Sequence, residues 1–217
     1  MFVGHYGVSF AAKHAEPSIP LWVLFLAVQF LDILWAPLIL LGIEGVRIVP
    51  GITASNPLDL YYMPYSHSLT AALVWSCVGA LAYQLIRRPV RPRASVLVGL
   101  AVFSHWILDL VVHRPDLPLY DNCVKVGLGL WNAPVLAFGL EAALLFGGIW
   151  LRTRDRLGHS LGTLVFGIVM LAIQAYVFFG PAPSSDRAAA STALISYVVF
   201  AAIIWWLQDR PELTGTA

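Results

Sequence analysis

The chain has 217 residues, of which 59% are hydrophobic and only 12% are charged. A soluble domain usually carries about 25% charged residues, so this chain cannot cover a water-facing surface. The net charge of +1 excludes a nucleic-acid partner bound through bulk charge, and two cysteines are too few for a disulfide framework. We therefore expect a single transmembrane domain over residues 1–209, surrounded by the lipid bilayer, and a short polar tail over residues 210–217.

The first sixteen residues precede the first long apolar window. Residues 2–12 are apolar but too short to span a bilayer, and no positively charged region precedes them, which argues against a cleavable signal peptide. The segment Glu16-Pro17-Ser18-Ile19-Pro20 then interrupts any helix. Two placements are open: an interfacial helix on the cytoplasmic face, or a re-entrant half-helix that runs from the middle of the membrane to Lys13.

Six long apolar windows follow, each close to the length of about 20 residues that a spanning helix needs. They cover about residues 19–42, 66–86, 94–113, 131–151, 160–180 and 190–208. Turn and charge signals separate them, such as Gly180-Pro181-Ala182-Pro183. The predicted fold is therefore all-α, a polytopic transmembrane bundle of about six spans with a short N-terminal helix.

Basic residues divide unevenly between the two sides of such a bundle. One side carries Lys13, Arg87, Arg88, Arg91, Arg93, Arg152, Arg154, Arg156 and Arg210, and the other carries Arg47, Arg114, Lys125 and Arg187. Because cytoplasmic loops are enriched in Lys and Arg, this distribution predicts that the Arg-rich loops and the C-terminus are cytoplasmic. We expect the chain to lie in the inner (plasma) membrane of the cell.

Ionisable residues inside spans are energetically expensive and usually mark a functional site. The third window contains His105, Asp109 and His113, which lie at i, i+4 and i+8 on one helical face. His105 and Asp109 can therefore bind one metal ion, and His113 is a further ligand, a residue that orients a ligand, or a proton shuttle. Imidazole and carboxylate ligands suit Zn²⁺, and also Mn²⁺, Fe²⁺ or Ni²⁺.

Other ionisable residues are expected at the same depth in the membrane as His105 and Asp109. At about 1.5 Å per helical residue, Asp32, His105 and Asp109 lie ~16–22 Å from the cytoplasmic ends of their helices. His67 opens the second window from the outer end, and His5 reaches this level only as part of a half-helix. The sequence thus predicts a metal cluster in the outer half of the membrane.

Glu141 lies in the middle of the fourth window. If it faces the same cavity, it acts as a general base or orients a ligand histidine. The alternative is a hydrogen bond to Gln174 or Gln29 across the bundle.

Several motifs together resemble a known family. They are Gly4-His5, Asp32 near the end of the next helical segment, His67-Ser68 at the start of a helix, Ser104-His105-x-x-x-Asp109, and the proline-rich segment Arg114–Leu119. This pattern, over residues 1–120, resembles the membrane-bound metal-dependent hydrolases, the family of LexA-regulated inner-membrane hydrolases. The chain departs from the family in having one carboxylate around Asp32 and in lacking the first histidine of the motif that precedes His67.

The resemblance implies a divalent metal ion, Zn²⁺ by preference, bound by His5, Asp32, His67, His105 and Asp109. It also implies hydrolysis of an unknown ester or phosphoester, and the position of the site suggests a lipid or lipid-linked substrate. Glu141 and His113 are the candidate catalytic residues beside the metal. The alternative is a non-enzymatic membrane protein that uses the same cluster for metal binding, transport or helix association.

Overall fold

The structure is a computed structural model that describes residues 1–88, 91–154 and 160–209. The predicted polar tail, with Arg210, and the predicted cytoplasmic residue Arg156 lie outside these ranges. Helix accounts for 67% of the described residues and strand for 8%.

The helices follow one another in the order that the apolar windows predict. Their bounds are α1 His5–Ala15, α2 Leu21–Val28, α3 Phe30–Leu40, α4 Leu69–Ile86, α5 Pro92–Val112, α6 Pro134–Thr153, α7 Ser160–Phe179 and α8 Asp186–Ile204. A short 3-10 helix at Leu130–Asn132 precedes α6, and a π-helical turn at Trp205–Asp209 continues α8.

Five of these helices, α4 to α8, are long and apolar enough to cross a membrane. A sixth span is formed if α2 and α3 are counted together, although they are bent by 53° at Gln29. The prediction of a polytopic helical membrane protein is therefore confirmed at this level. The first window is not one continuous helix, because its backbone breaks at Gln29, and this break shapes the candidate site.

Two short antiparallel hairpins correct the all-α prediction. The first pairs β1, Gly45–Ile48, with β2, Leu58–Tyr62, and the second pairs β3, Leu117–Tyr120, with β4, Cys123–Val126. These strands of four or five residues lie between the apolar windows, so they gave no signal in a search for spans. The Nζ of Lys125 donates to the carbonyl oxygen of Tyr61 at 2.7 Å, which joins the two hairpins.

Helix α1 lies inside the bundle, where it packs against α6, α2 and α5. Its Tyr6 and Phe10 side chains are fully buried. Glycines make this packing possible, since a Cβ atom at Gly7 would collide with the carbonyl oxygen of Leu144, and one at Gly148 would collide with the Gly7 backbone. The two helices therefore touch backbone to backbone.

The bundle has two chemically different ends. Arg93 donates from Nη2 to the carbonyl oxygen of Ala15 at 3.2 Å, which places the end of α1 beside the start of α5. We call this the Arg-rich end, because the described parts of the two Arg-rich loops lie here with Lys13. The opposite end carries both hairpins, and we call it the hairpin end.

Candidate metal centre

The break at Gln29 leaves the carbonyl oxygen of Val28, the last residue of α2, available to a side chain. The Nδ1 of His105 lies 2.7 Å from this oxygen. Because a carbonyl oxygen can only accept, Nδ1 carries the proton and the neutral ring presents a lone pair on Nε2. The broken span thus fixes the tautomer in which His105 could bind an ion through Nε2.

Two hydrogen-bonded residues, Ser66 and Glu44, fix the tautomer of His67 in the same way. Its Nδ1 lies 2.7 Å from the Ser66 hydroxyl, and that hydroxyl donates to a carboxylate oxygen of Glu44. Since the Ser66 proton is directed to Glu44, the hydroxyl oxygen accepts from the ring, and Nε2 of His67 keeps its lone pair. Glu44 also accepts from the backbone amides of Tyr65 and Ser66, at 2.8 and 2.9 Å, which fixes the loop that presents His67.

His113 follows the same rule just after the end of α5. Its Nδ1 lies 2.8 Å from a carboxylate oxygen of Asp116, and a carboxylate can only accept. Arg114 holds Asp116 through its Nε at 3.2 Å and pairs with Asp59 through Nη2. The Nε2 of His113 therefore points inward, 3.5 Å from Oδ2 of Asp109.

Two carboxylate oxygens and two imidazole nitrogens approach one another in this cluster. Oδ1 of Asp32 lies 3.3 Å from Nε2 of His67 and 3.7 Å from Nε2 of His105. Oδ2 of Asp109 lies 3.1 Å from Nε2 of His105 and 3.8 Å from Nε2 of His67. Ligands bound at about 2.0–2.1 Å around tetrahedral Zn²⁺ lie about 3.4 Å from one another. Four of the six distances among these atoms, 3.1–3.8 Å, therefore lie near that spacing.

The buried contact between His105 and Asp109 also calls for a positive charge. A lone pair on His105 Nε2 beside a carboxylate oxygen is an acceptor facing an acceptor, which is unfavourable in a buried site. His105 is fully buried and Asp109 is 2% exposed. Although Nε2 is close to Asp109, no hydrogen-bond partner is aligned with it in the described parts of the chain. Either a proton on Nε2 or a divalent ion between the two groups would satisfy both.

The outer oxygens of the two carboxylates are bound by other groups. The Tyr197 hydroxyl of α8 donates to Oδ2 of Asp32 at 2.6 Å. The Met1 amino group donates to Oδ1 of Asp109, also at 2.6 Å. Each contact leaves the other oxygen of its carboxylate facing the histidines.

His5 stands beside this set and differs from the other histidines. Its Nε2 lies 3.2 Å from Oδ1 of Asp109, and its ring stacks on that of His105 at 4.0 Å between centroids. Its Nδ1 has no partner in the described parts of the chain, so no contact selects its tautomer. His5 can therefore bind an ion or donate a hydrogen bond to Asp109.

The structure brings together all five predicted ligand residues. They form two overlapping groups that could each hold an ion, His5 with His105 and Asp109, and Asp32 with His67 and His105. His113 adjoins them through Asp109.

Glu141 is fully buried, and both of its carboxylate oxygens accept hydrogen bonds from the protein. Oε2 accepts from the backbone amides of Phe2 and Gly4 at 2.9 and 3.1 Å, and Oε1 accepts from Gln174 at 2.8 Å. Glu141 therefore satisfies backbone amides just before α1, which would otherwise be buried without partners. Gln29, the other partner considered for it, donates to the carbonyl oxygen of Phe2 at 3.0 Å.

Sequence reasoning missed four residues that orient the candidate ligands. Ser66 and Asp116 lie within three residues of His67 and His113, so sequence proximity could have indicated them. Glu44 and Tyr197 are distant in sequence from the ligands they support, and no local pattern marks them.

A cavity of about 530 Å³ leads to this cluster from the hairpin end. Asp32, His67, Asp109, His113 and Glu141 line its deep part, and mainly apolar residues form its walls. Its volume lies within the range of about 300–1,000 Å³ that is usual for ligand pockets. The cluster is therefore connected to a space that can admit a substrate.

No protein-family model matches the chain, and neither a curated protein nor a solved structure matches it. These comparisons neither support nor exclude the family resemblance of the sequence. The chemistry of the cluster and of its cavity is what bears on function.

Proposed function

We propose that this protein is a membrane-embedded metal-dependent hydrolase of the inner membrane, acting on a lipid or lipid-linked ester or phosphoester. The observation that carries the proposal is the common state of the ligands. His67 and His105 each donate through Nδ1 and direct Nε2 at the same two carboxylates, Asp32 and Asp109, at distances of 3.1–3.8 Å. That arrangement is the one expected of ligands prepared for a divalent ion.

In the membrane, α2 and α3 would together form one broken span, and α1 would form a re-entrant half-helix. The full burial of Tyr6 and Phe10 supports this placement of α1 over one on the membrane surface. The Arg-rich end and the C-terminus face the cytoplasm. Asp109 is three residues from the end of α5, so the site lies about 5 Å below the hairpin end of that helix.

Asp32, His67, His105 and Asp109 would hold the ion, with His5 beside them. Zn²⁺ is the ion we expect, because the donors are imidazole nitrogens and carboxylate oxygens. When bound, such an ion lowers the pKa of a water molecule towards neutrality and polarises an oxygen of the substrate.

Hydrolysis adds the oxygen of a water molecule to the acyl carbon or phosphorus and breaks the bond to the leaving oxygen, which takes a proton. His113 lines the cavity at this point and is our candidate to move that proton. Its ring is held by Asp116, so its Nε2 stays directed at the cluster.

A second candidate function is a metal site that only stabilises the bundle. The number of donors favours it, since four protein ligands can close a tetrahedral site and leave no position for water. Substitution with Co²⁺ separates the two, because a small hydroxamate changes the visible spectrum only if a coordination position is open to the cavity. An unchanged spectrum would favour the structural ion.

The test of the metal site is elemental analysis of the purified protein. We expect near-stoichiometric metal in the wild type and its loss in His105→Ala and Asp109→Asn. Matched controls are His14→Ala and Asp121→Asn, because both residues are exposed, and asparagine tolerates the positive φ of Asp121.

Two outcomes would contradict the proposal. Less than about a tenth of an equivalent of any transition metal in the wild type would remove the site altogether. Full metal content in both site variants would show that other residues bind the ion.

A further inference from the structure

Helices α7 and α8 separate on the side of the cavity. Helix α7 packs against α6, whereas α8 packs against α2 and α3. The cavity extends between them, with Ile173 and Val177 of α7 on one wall and Ala189, Ala193 and Ser196 of α8 on the other. Val177 is half-exposed at 51%, so this wall reaches the surface of the bundle that faces lipid.

The α8 wall consists of small side chains at helical spacing. In membrane helices, such a face usually allows close packing against another helix. Here the face borders the cavity instead, and the aliphatic Ile173 and Val177 contribute to the opposite wall. The space between them belongs to a cavity whose surface is mainly apolar, as an alkyl chain requires, and which Asp32 and Asp109 also line.

Charge restricts what this cavity can hold. Among the described residues that line it, none is Lys or Arg. Arg114, which follows the cavity-lining His113 in sequence, is already paired with Asp59 and Asp116. The Met1 amino group lines the cavity as one positive charge, and a bound ion would add two more. Asp32, Asp109 and Glu141, which also line it, would offset these three charges. A phosphate group would therefore be buried here without a compensating cation, whereas a carboxylic ester would not.

We infer that the substrate is an uncharged lipid carboxylic ester that enters sideways between α7 and α8. Its acyl chain occupies the space beside Ala193 and its ester group reaches the candidate metal centre. This inference rests on the proposed hydrolase function. In the reaction, the acyl carbon gains the oxygen of water and loses its bond to the alkoxy oxygen, which takes the proton, so that a fatty acid and an alcohol are formed.

The experiment uses a monoacylglycerol with a diazirine in its acyl chain, added to the detergent-solubilised wild-type protein after metal removal with a chelator. Irradiation attaches the probe to whatever it contacts, and peptide mass spectrometry locates it. We expect labels within residues 173–177 and 189–196. Ala193→Trp fills the space and should lower this labelling about fivefold or more. Ile195→Trp, on the 63% exposed face of the same helix, is the matched control and should leave it unchanged.

The results separate lateral entry from the metal proposal, because the labelling is measured without metal. Labels spread over the lipid-facing surfaces, or equal labelling of Ala193→Trp and Ile195→Trp, would overturn lateral entry. Ala189→Trp provides a second filled variant, and the position of the label in the wild type decides the question even if neither variant folds. Stronger competition by monoacylglycerol phosphate than by monoacylglycerol would overturn the assignment to an uncharged ester.

Discussion

His105 donates a hydrogen bond from Nδ1 to the carbonyl oxygen of Val28, across the break between α2 and α3. An unbroken helix would use that carbonyl oxygen for its own backbone ladder. The break at Gln29 therefore has a chemical consequence, because it selects the tautomer of a candidate metal ligand. It also starts α3 two residues before Asp32, which brings this carboxylate to the same level.

Replacement of Glu44 by glutamine should weaken metal binding without touching a ligand. The Ser66 hydroxyl would lose its carboxylate acceptor and could donate to His67 Nδ1 instead, which would place the ring proton on the ligating Nε2. Loss of a group that orients a ligand typically costs 10–100-fold in metal affinity, and we expect an effect of about that size. Competition with a chromophoric chelator measures it.

The control for this variant is Glu16→Gln at the Arg-rich end, where the carboxylate accepts from Ser18 at 2.7 Å, remote from the metal centre. Equal Zn²⁺ affinity in Glu44→Gln and in the wild type would show that the Ser66–Glu44 pair does not set the state of His67.

Tyr197→Phe should reduce metal affinity about tenfold, because it removes a hydrogen bond to a charged carboxylate. The lost contact is the one that holds Oδ2 of Asp32 at 2.6 Å and leaves Oδ1 for the ion. Isothermal titration of the metal-free protein gives the affinity. Tyr176→Phe removes the same hydroxyl from a 65% exposed position and should leave the affinity unchanged. A similar loss in both variants would indicate a general effect on the fold.

Two neighbouring glycines of α6 should respond in opposite ways to alanine. Gly148→Ala places a Cβ atom against the Gly7 backbone and should destabilise the protein by about 1–3 kcal/mol. Gly147→Ala meets nothing within 4 Å and should be neutral or stabilising by up to about 1 kcal/mol, since alanine favours helix. Thermal unfolding in detergent compares them. Equal melting temperatures would contradict the close packing of α1 on α6.

Glu141→Ala should destabilise the protein, because it leaves the amides of Phe2 and Gly4 buried without an acceptor. Each unsatisfied group costs about 1–3 kcal/mol, so the melting temperature should fall clearly. Glu141→Gln keeps an acceptor oxygen and should be much milder. A normal melting temperature in Glu141→Ala, with hydrolysis abolished in both variants, would instead favour Glu141 as a catalytic base.

Composition and local spacing were sufficient to predict most of the helical architecture. Long apolar windows indicate spanning helices whatever their neighbours are, because the bilayer requires that length of apolar sequence. The i, i+4 spacing likewise placed His105 and Asp109 on one face of α5, since helical geometry is local. Burying an ionisable side chain in an apolar span costs free energy, so such residues stand out in the sequence. Asp32 and Glu141 could be singled out for this reason as well.

The broken span, the two hairpins and the residues that orient the ligands depended on the tertiary structure. The partner of His105 is the backbone carbonyl of Val28, which carries no sequence signal. Glu44 and Tyr197 act on His67 and Asp32 only because packing brings distant segments together. Sequence thus determined which residues could bind a metal ion. Packing decided which nitrogen of His67 and His105 carries a lone pair, because the tautomer follows from the acceptor opposite the other nitrogen.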